Sequence, residues 1–370
     1  MYDCIVIGAG PGGGATAYHL ARRGRSVLVL EKETLPRYKP CGGGIPPVVQ
    51  EWFDFDFSPV ISARVHRIRY TWTLGDVVEA PLDLPEPMWM VRRDEFDQFL
   101  VTQAQRQGAL LKSGTPVLGI SPLPEGWRVQ TTCGEFDGRY LVGADGAKGN
   151  TARWLGLDKR KITIGGAIEV EIPAPVPQPD TAHFEFGMVK AGYLWNFPKA
   201  GCHSIGIGTF GRQKVDLKTP LARYIEGFGL SLAGVTLHGH PLLLWQGNTP
   251  LHTRCALLVG ESAGIVDPFT AEGIRPSLHT GVLAAQFLDQ ALGGDEQALA
   301  AYTAAVHEYW GEDLKWASRL ASVFYRFPEL GYRLGIKRPG TTRRMGQLLS
   351  GEVRYREVAQ RALHRLSPVT

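Results

Sequence analysis

Three glycines and one acid near the start of the chain have the types and spacing to hold a phosphate-linked dinucleotide. Gly8-Ala9-Gly10-Pro11-Gly12-Gly13 closes an apolar, β-branched run that begins at Cys4, and Ala15 to Arg23 has helical composition. A second apolar run, Ser26 to Leu30, ends at Glu31, 18 residues beyond Gly13. In a strand, glycine turn, helix and strand of this kind, Gly8 allows the tight turn, Gly10 admits the pyrophosphate and Gly13 lets helix and strand pack closely. The helix N-terminus faces the phosphates with its positive dipole end, and Glu31 accepts from ribose hydroxyls. An acid there disfavours a 2′-phosphate, so the expected nucleotide is FAD or NAD rather than NADP.

A second chemistry-bearing stretch is KPCGGG, Lys39 to Gly44, which sets one thiol against three glycines. Such a run is either a floppy turn or a surface pressed against something flat or charged. Its sulfur is either a reagent or a small buried group that fills space. Two other patterns carry less. Gly206-Ile207-Gly208-Thr209-Phe210-Gly211 matches the glycine spacing, but no helical stretch follows and Pro220 intervenes, so it reads as a glycine-bearing antiparallel strand. His238-Gly239-His240 puts two imidazoles on one side of a strand with no carboxylate or thiol nearby in sequence, and no metal site is expected. The five cysteines are an odd number without a C-x-x-C pair, which argues against a disulfide framework and for a reducing compartment.

The elements that must position these groups follow along the chain. Arg93-Asp94-Glu95-Phe96-Asp97 opens a helix running to Gln107; Gly143-Ala144-Asp145-Gly146 ends a strand; Gly260-Glu261-Ser262-Ala263-Gly264 ends another and leads into VDPFTAEGI. Between Ala167 and Phe210 the period is two, in short runs AIEVEI, AHFEFG, GYLWNF and HSIGIGTF. Tyr193, Trp195 and Phe197 then share one face, as do Phe184 and Phe186 on the preceding run. That face is an ordinary core layer or the wall of an apolar tunnel.

Together these segments resemble the FAD-dependent family that includes para-hydroxybenzoate hydroxylase, in which R-x-x-F-D, G-A-D-G and G-D-A-A-G…P…E-G-I follow the first fingerprint in this order. PRYKPCGGG and GYLWNFPK, Gly192 to Lys199, are similar to signatures of its geranylgeranyl reductase branch. The resemblance covers about residues 1 to 300. It implies an α/β, two-lobed α+β architecture: a Rossmann-like FAD-binding domain (1–60, 91–160 and 250–300) interleaved with an antiparallel-sheet substrate domain (61–90 and 161–249), then a C-terminal helical basic segment (301–370). It implies that Gly8, Gly10, Gly13 and Glu31 hold the adenosine diphosphate end of FAD and that Arg93, Asp145 and Glu261 reach the cofactor. Pro268 would shape the last turn, and Gly273 and Ile274 would offer backbone N–H groups to the flavin.

The activity implied is hydrogenation of isolated C=C bonds of a polyprenyl substrate. Tyr193, Trp195 and Phe197 would line its tunnel, residues 64 to 90 would bound the other side, and Cys41 would position the alkene or deliver a proton. With one dinucleotide fold, the reductant is NADPH or a ferredoxin bound transiently. Two departures from the family stand out. Glu261 replaces an Asp that contacts the ribityl chain, so Glu261→Asp is expected to bind FAD at least as well as the parent; Gly149, Asn150 and Arg153 sit out of register with the usual Ser and Arg. Two rival readings remain: a monooxygenase or halogenase on the same fold, although Tyr193 stands where the halogenase W-x-W-x-I-P pattern has its first Trp, and a non-catalytic prenyl-chain carrier.

Bulk properties set the remaining bounds. The 370 residues suit two lobes, and 44% hydrophobic with 21% charged residues are globular values. The N-terminus enters a strand directly, unlike a signal peptide, and no apolar run reaches spanning length, so a cytoplasmic location is expected. The net charge is only +4, yet residues 315–370 hold twelve Lys and Arg against three Glu and no Asp. Its plain reading is a solvated helical face; its sharper reading is peripheral contact with an anionic membrane, with Trp316, Phe324, Tyr325 and Phe327 at the surface. No nucleic-acid motif accompanies the charge.

Overall fold

The computed structural model describes residues 1–158, 163–211, 215–338 and 340–366. Its first sheet has a parallel centre in the order Ala256–Leu258, Gly134–Gly143, Tyr2–Ile7, Val27–Leu30 and Leu110–Lys112. Val27–Leu30 is buried throughout, as an apolar run without alternation requires when both faces are covered. Helix Pro11–Arg22 packs against both Arg93–Arg106 and Ile274–Leu292. Glycines make these crossings close: a Cβ on Gly281 would lie 2.5 Å from the Gly12 carbonyl, and one on Gly14 2.8 Å from Leu100.

The second sheet has seven strands in the order His238–Leu244, Thr163–Pro173, Cys202–Thr209, Gly192–Lys199, Thr181–Phe186, Arg67–Trp72 and Gly75–Pro81. All neighbours are antiparallel except Thr181–Phe186 with Arg67–Trp72. On one face Val170, Leu194, Ile205 and Ile207 form a core with Leu221, Tyr224 and Ile225 of helix Lys218–Glu226. The opposite face faces the first sheet's loops. There the second glycine hexad has its explanation: Gly206 and Gly208 lie on the strand Cys202–Thr209, and a Cβ on Gly206 would fall 2.1 Å from the Trp195 ring. The spacing makes room for an indole, not for a phosphate.

Residues 64–90 do two things. Arg67–Trp72 and Gly75–Pro81 extend the seven-stranded sheet, whereas Ile61–Val65 and Met88–Val91 join Gly44–Ile45 in a third, three-stranded sheet. The chain after 311 corrects the surface reading of its aromatics. Helix Glu312–Phe324 and the turns that follow cover the cavity-side face, so Phe324 is only 9% exposed and packs with Phe186, Phe269 and Tyr332. Tyr325 is turned inward as well, its hydroxyl donating to the Phe269 carbonyl at 2.6 Å. Phe327 is exposed, and Trp316 is partly buried beneath the Arg319 guanidinium.

Candidate active site

Chain crossings at the C-terminal ends of the parallel strands create the glycine cradle. Gly8 N donates to Leu30 O and Ala144 N to Ile7 O, which draws the first turn, the end of the Glu31 strand and the Gly143–Gly146 turn together. Gly8 has φ +106°, and a Cβ on Gly13 would sit 1.9 Å from the Gly8 carbonyl, so both positions require glycine. Gly10 differs: a Cβ there would meet nothing closer than the guanidinium groups of Arg93, at 3.9 Å, and Arg37, at 4.0 Å. Helix Pro11–Arg22 begins without a side-chain cap. Two cations and a helix N-terminus around an open glycine fit an anionic pyrophosphate.

The charges around this cradle neutralise one another in a chain. Glu31 Oε2 accepts from Ala9 N at 2.9 Å and lies 3.5 Å from Arg37. Arg37 also bonds Asp97 at 2.9 Å, and Asp97 takes a two-pronged bond from Arg93 at 2.9 and 2.8 Å. Burial works against the Arg93 charge, and Asp97 more than offsets it. Arg37 was not singled out from sequence; its signal was its place in the run that leads to KPCGGG.

Asp145, expected to reach the cofactor, lines the cavity. Its Oδ2 accepts from Thr151 N and Oγ1, and its Oδ1 accepts from Ser262 Oγ at 3.0 Å, so it fastens two loops together at the cavity edge. Glu261 lies on the cavity wall with its carboxylate at 3.3 Å from His240 Nε2, 3.6 Å from Lys39 Nζ and 3.4 Å from Leu243 N. Burial pushes its carboxyl up, but the His240 hydrogen bond and the Lys39 charge outweigh this and hold it down at about 2. The extra methylene is therefore used to reach protein partners. His240 thus gains the carboxylate that its sequence neighbourhood lacks, while His238 packs against Tyr38 with ring centres 4.3 Å apart and planes tilted by 42°. Among the described residues no cluster of three metal-ligating side chains forms.

The VDPFTAEGI turn is fixed from three sides. Asp267 Oδ1 accepts from Phe269 N and Thr270 N; Tyr193, Tyr325 and Tyr355 donate their hydroxyls to Thr270 O, Phe269 O and Asp267 Oδ2. Gly273 caps helix Ile274–Leu292 and lines the cavity. Pro268 and Ile274 are buried in the turn and helix start behind that lining.

The KPCGGG loop crosses between the two sheets. A Cβ on Gly42 would lie 2.7 Å from the Phe197 ring and one on Gly43, with φ +77°, 2.1 Å from Val91 O. Contacts within the protein alone therefore require glycine at both positions, and all three glycines of the loop also line the cavity. Gly44 begins the small sheet, and Cys41 lines the cavity with its carbonyl held by Lys199 Nζ at 3.1 Å. Tyr193, Trp195 and Phe197 all face the same space.

One continuous cavity of about 720 Å³ joins these parts. It starts at Gly8, Gly10 and Glu31, passes Cys41, Glu261 and Gly273, and ends among Tyr70, Phe184, Phe186, Met90, Phe324 and Leu349. Sequence reasoning missed the share of Phe324, Tyr325, Ile336, Met345 and Leu349, which arrive from the far C-terminal part of the chain. A glycine cradle that fits a pyrophosphate and opens into an apolar chamber is what an FAD-dependent oxidoreductase requires. The FAD binding domain family matches residues 1–192. The chain is 31% identical to a menaquinone reductase of Mycobacterium tuberculosis, covering 78% of this chain and 76% of that one. It is 27% identical to a digeranylgeranylglycerophospholipid reductase of Thermoplasma volcanium, covering 80% of each. The structure of a geranylgeranyl bacteriochlorophyll reductase-like protein from Thermoplasma acidophilum superposes with a TM-score of 0.79 at 23% identity, over 94% of this chain and 91% of that one. Flavin-dependent halogenases share the fold at lower identity. The chain belongs to the geranylgeranyl reductase family of FAD-dependent oxidoreductases.

Proposed function

We propose that the protein hydrogenates isolated C=C bonds in the isoprenoid chain of a lipid or quinone. The observation that carries this is the single cavity whose nucleotide end is charged and whose far end is lined by rings and aliphatic side chains. When bound, FAD supplies the hydride chemistry. The chain supplies the rest: Gly10, Arg37 and Arg93 receive the pyrophosphate, Glu31 the ribose, and the Gly273 end of helix Ile274–Leu292 the ring system. Trp195, Phe184 and Phe186 exclude water and hold the alkene, which is a poor hydride acceptor and depends on placement and protonation. Cys41 stands between the charged and apolar parts, where a thiol could position the alkene or hand it a proton. NADPH or a ferredoxin would deliver electrons transiently.

The decisive experiment incubates dithionite-reduced protein anaerobically with geranylgeranyl diphosphate or menaquinone and weighs the product. Gain of two hydrogens, with reoxidation of the flavin, is expected. Gain of oxygen only after air is admitted would replace this reading with the monooxygenase one, and an inert bound flavin would leave the carrier.

Access from a bilayer suits such substrates. Leu320, Val323, Phe327, Leu330 and Leu334 are exposed at helical three- and four-residue spacing, with Val323 65% and Phe327 55% exposed, beside Arg319, Arg326 and Arg333. Phe324, Tyr325 and Ile336 of the same stretch line the cavity. Among the described residues no helix is long and apolar enough to cross a membrane, so the contact proposed is peripheral.

A further inference from the structure

One buried acid on the cavity face lies outside the set of residues assigned to the cofactor. Glu169 is 2% exposed and lines the cavity. Register puts it in a straight row across the sheet: His238, Glu169, Gly206, Trp195, Phe184 and Tyr70 lie side by side. It therefore stands where the polar part of the face meets the aromatic part, one glycine away from Trp195.

Burial favours its protonated form, and among the described residues no cation is bonded to it directly. The neighbouring acid on the same strand face, Glu171, takes Lys199 Nζ directly at 2.7 Å, and that ammonium spends another bond on Cys41 O. Glu169 receives a neutral donor, Ser204 Oγ, at 2.9 Å. The titratable groups around it are Glu171 on its own strand, Lys199 from Gly192–Lys199, Arg93 from helix Arg93–Arg106, His238 from the outer strand and Tyr38 from the facing loop. Burial raises its carboxyl to about 7, against the lowering pull of Lys199 and Ser204. Two further buried polar atoms of this cavity wall, Tyr38 Oη and Trp195 Nε1, have no hydrogen-bond partner, and the Tyr38 hydroxyl is within electrostatic reach of Glu169, Glu171 and Cys41. Polar atoms held dry and unpaired in this way await a ligand or a proton-carrying water.

We propose that Glu169 is the acid that protonates the alkene during reduction, a step that rests on the isoprenoid-reductase reading. The alkene gains two hydrogens. One arrives as hydride with its electron pair, supplied by the two-electron-reduced flavin, which is thereby oxidised; the other is the Glu169 proton. The π bond gives way to two C–H bonds, and the carboxylate left behind is reprotonated from water.

The test compares the FAD-loaded parent with Glu169→Gln and Ser204→Ala. Infrared difference spectra between pH 5 and 9 are expected to show a protonated carboxyl band that vanishes around neutral pH in the parent and is missing in Glu169→Gln. Ser204→Ala keeps the acid and loses its donor, so the midpoint of that band moves to higher pH. Anaerobic reoxidation of the reduced flavin by geranylgeranyl diphosphate is expected to slow about 10²-fold or more in Glu169→Gln, with FAD content and dithionite reduction unchanged. In Ser204→Ala its pH profile moves with the infrared band. A carboxyl ionised throughout this range, or parent-like reoxidation in Glu169→Gln, overturns the proposal alone. If no isoprenoid alkene reoxidises the parent, the reductase reading fails and takes the proposal with it.

Discussion

At the nucleotide end of the cavity Glu31, Arg37, Asp97 and Arg93 pair with one another in succession, and Glu261 is met by both His240 and Lys39. At the other end Tyr70, Phe184, Phe186 and Phe324 meet rings, with centres 5.6 to 6.3 Å apart. The difference follows from what each end must bind. A buried charge without a partner costs several kcal/mol, roughly, so a site for a charged ligand needs its cations and anions balanced beforehand. Ring pairs at such distances add only about 0.5 to 1.5 kcal/mol each and adapt to a long apolar chain of variable shape. Two acids mark the boundary: Glu261 is held ionised by its neighbours, while burial keeps a proton on Glu169 to about pH 7.

The largest expected effect breaks one end and spares the other. Gly13→Ala drives a methyl group into the Gly8 carbonyl, so the purified variant is expected to lose nearly all of its flavin absorbance. Gly206→Ala belongs to the other glycine hexad and displaces the Trp195 ring instead. It is expected to keep FAD and slow reoxidation by substrate. Equal FAD loss in both would mean that the two ends fold as one cooperative unit. Next in size is Cys41→Ala, on the border between them. If the sulfur orients the alkene or relays the proton to it, anaerobic stopped-flow reoxidation falls by about 10²-fold with FAD binding intact. If the thiol only fills space, Cys41→Ala and Cys41→Ser both stay within a few-fold, and any loss tracks FAD content.

How far the sequence could be read divides along the same line. The Gly8–Gly13 turn and the strand ending at Glu31 were legible because a phosphate cradle is made from residues close in sequence whose backbone geometry admits little else. The period-two runs after Ala167 gave their strands for a similar reason, since alternation records one buried face. What could not be read were partnerships made by the fold. His240 reaches Glu261 only because the outer strand of one sheet meets a loop of the other. Gly42 is glycine because of Phe197, more than 150 residues away. In the helix that holds Trp316, Leu320, Val323 and Phe324 and is capped by Tyr325, apolar groups lie all round, so periodicity does not say which of them turn inward. The packing of Phe324 against Phe186 decides it.

A smaller effect sharpens the charged side. Replacing Glu261 by Ala leaves Lys39 and His240 without their acid, and FAD is expected to bind about 1 to 3 kcal/mol more weakly by fluorescence titration. Glu261→Asp is now expected to fall between parent and Ala, because a shorter side chain gives up the His240 and Lys39 contacts; affinity equal to or above the parent would restore the sequence-based expectation. The folded carboxyl lies at about 2 against a usual 4.5, so its contribution is present above pH 4.5 and is lost as pH falls towards 2. Urea unfolding of Glu261→Gln is accordingly expected to lose less stability than the parent between pH 6 and pH 3. Parallel pH dependence in the two proteins would show that the carboxylate pairing contributes nothing to folding.

The smallest expected effect concerns the turn on which the two ends meet. Tyr355 Oη donates to Asp267 Oδ2 at 2.7 Å, and the Tyr193 hydroxyl reaches Thr270 O of the same turn from the substrate sheet. Tyr355→Phe removes one bond to a buried carboxylate that keeps two others, from Phe269 N and Thr270 N. A loss of about 1 to 3 kcal/mol in unfolding free energy is expected, with FAD affinity changed less than about threefold, since the turn retains its remaining ties. Tyr193→Phe loosens the same turn from the cavity side, so it is expected to cost similar stability but also to alter which double bonds react. If the turn couples the ends, the double variant loses measurably more or less than the sum of the singles. Strict additivity in stability, FAD affinity and product pattern would mean that the C-terminal helices cover the cavity without transmitting anything to the cofactor side.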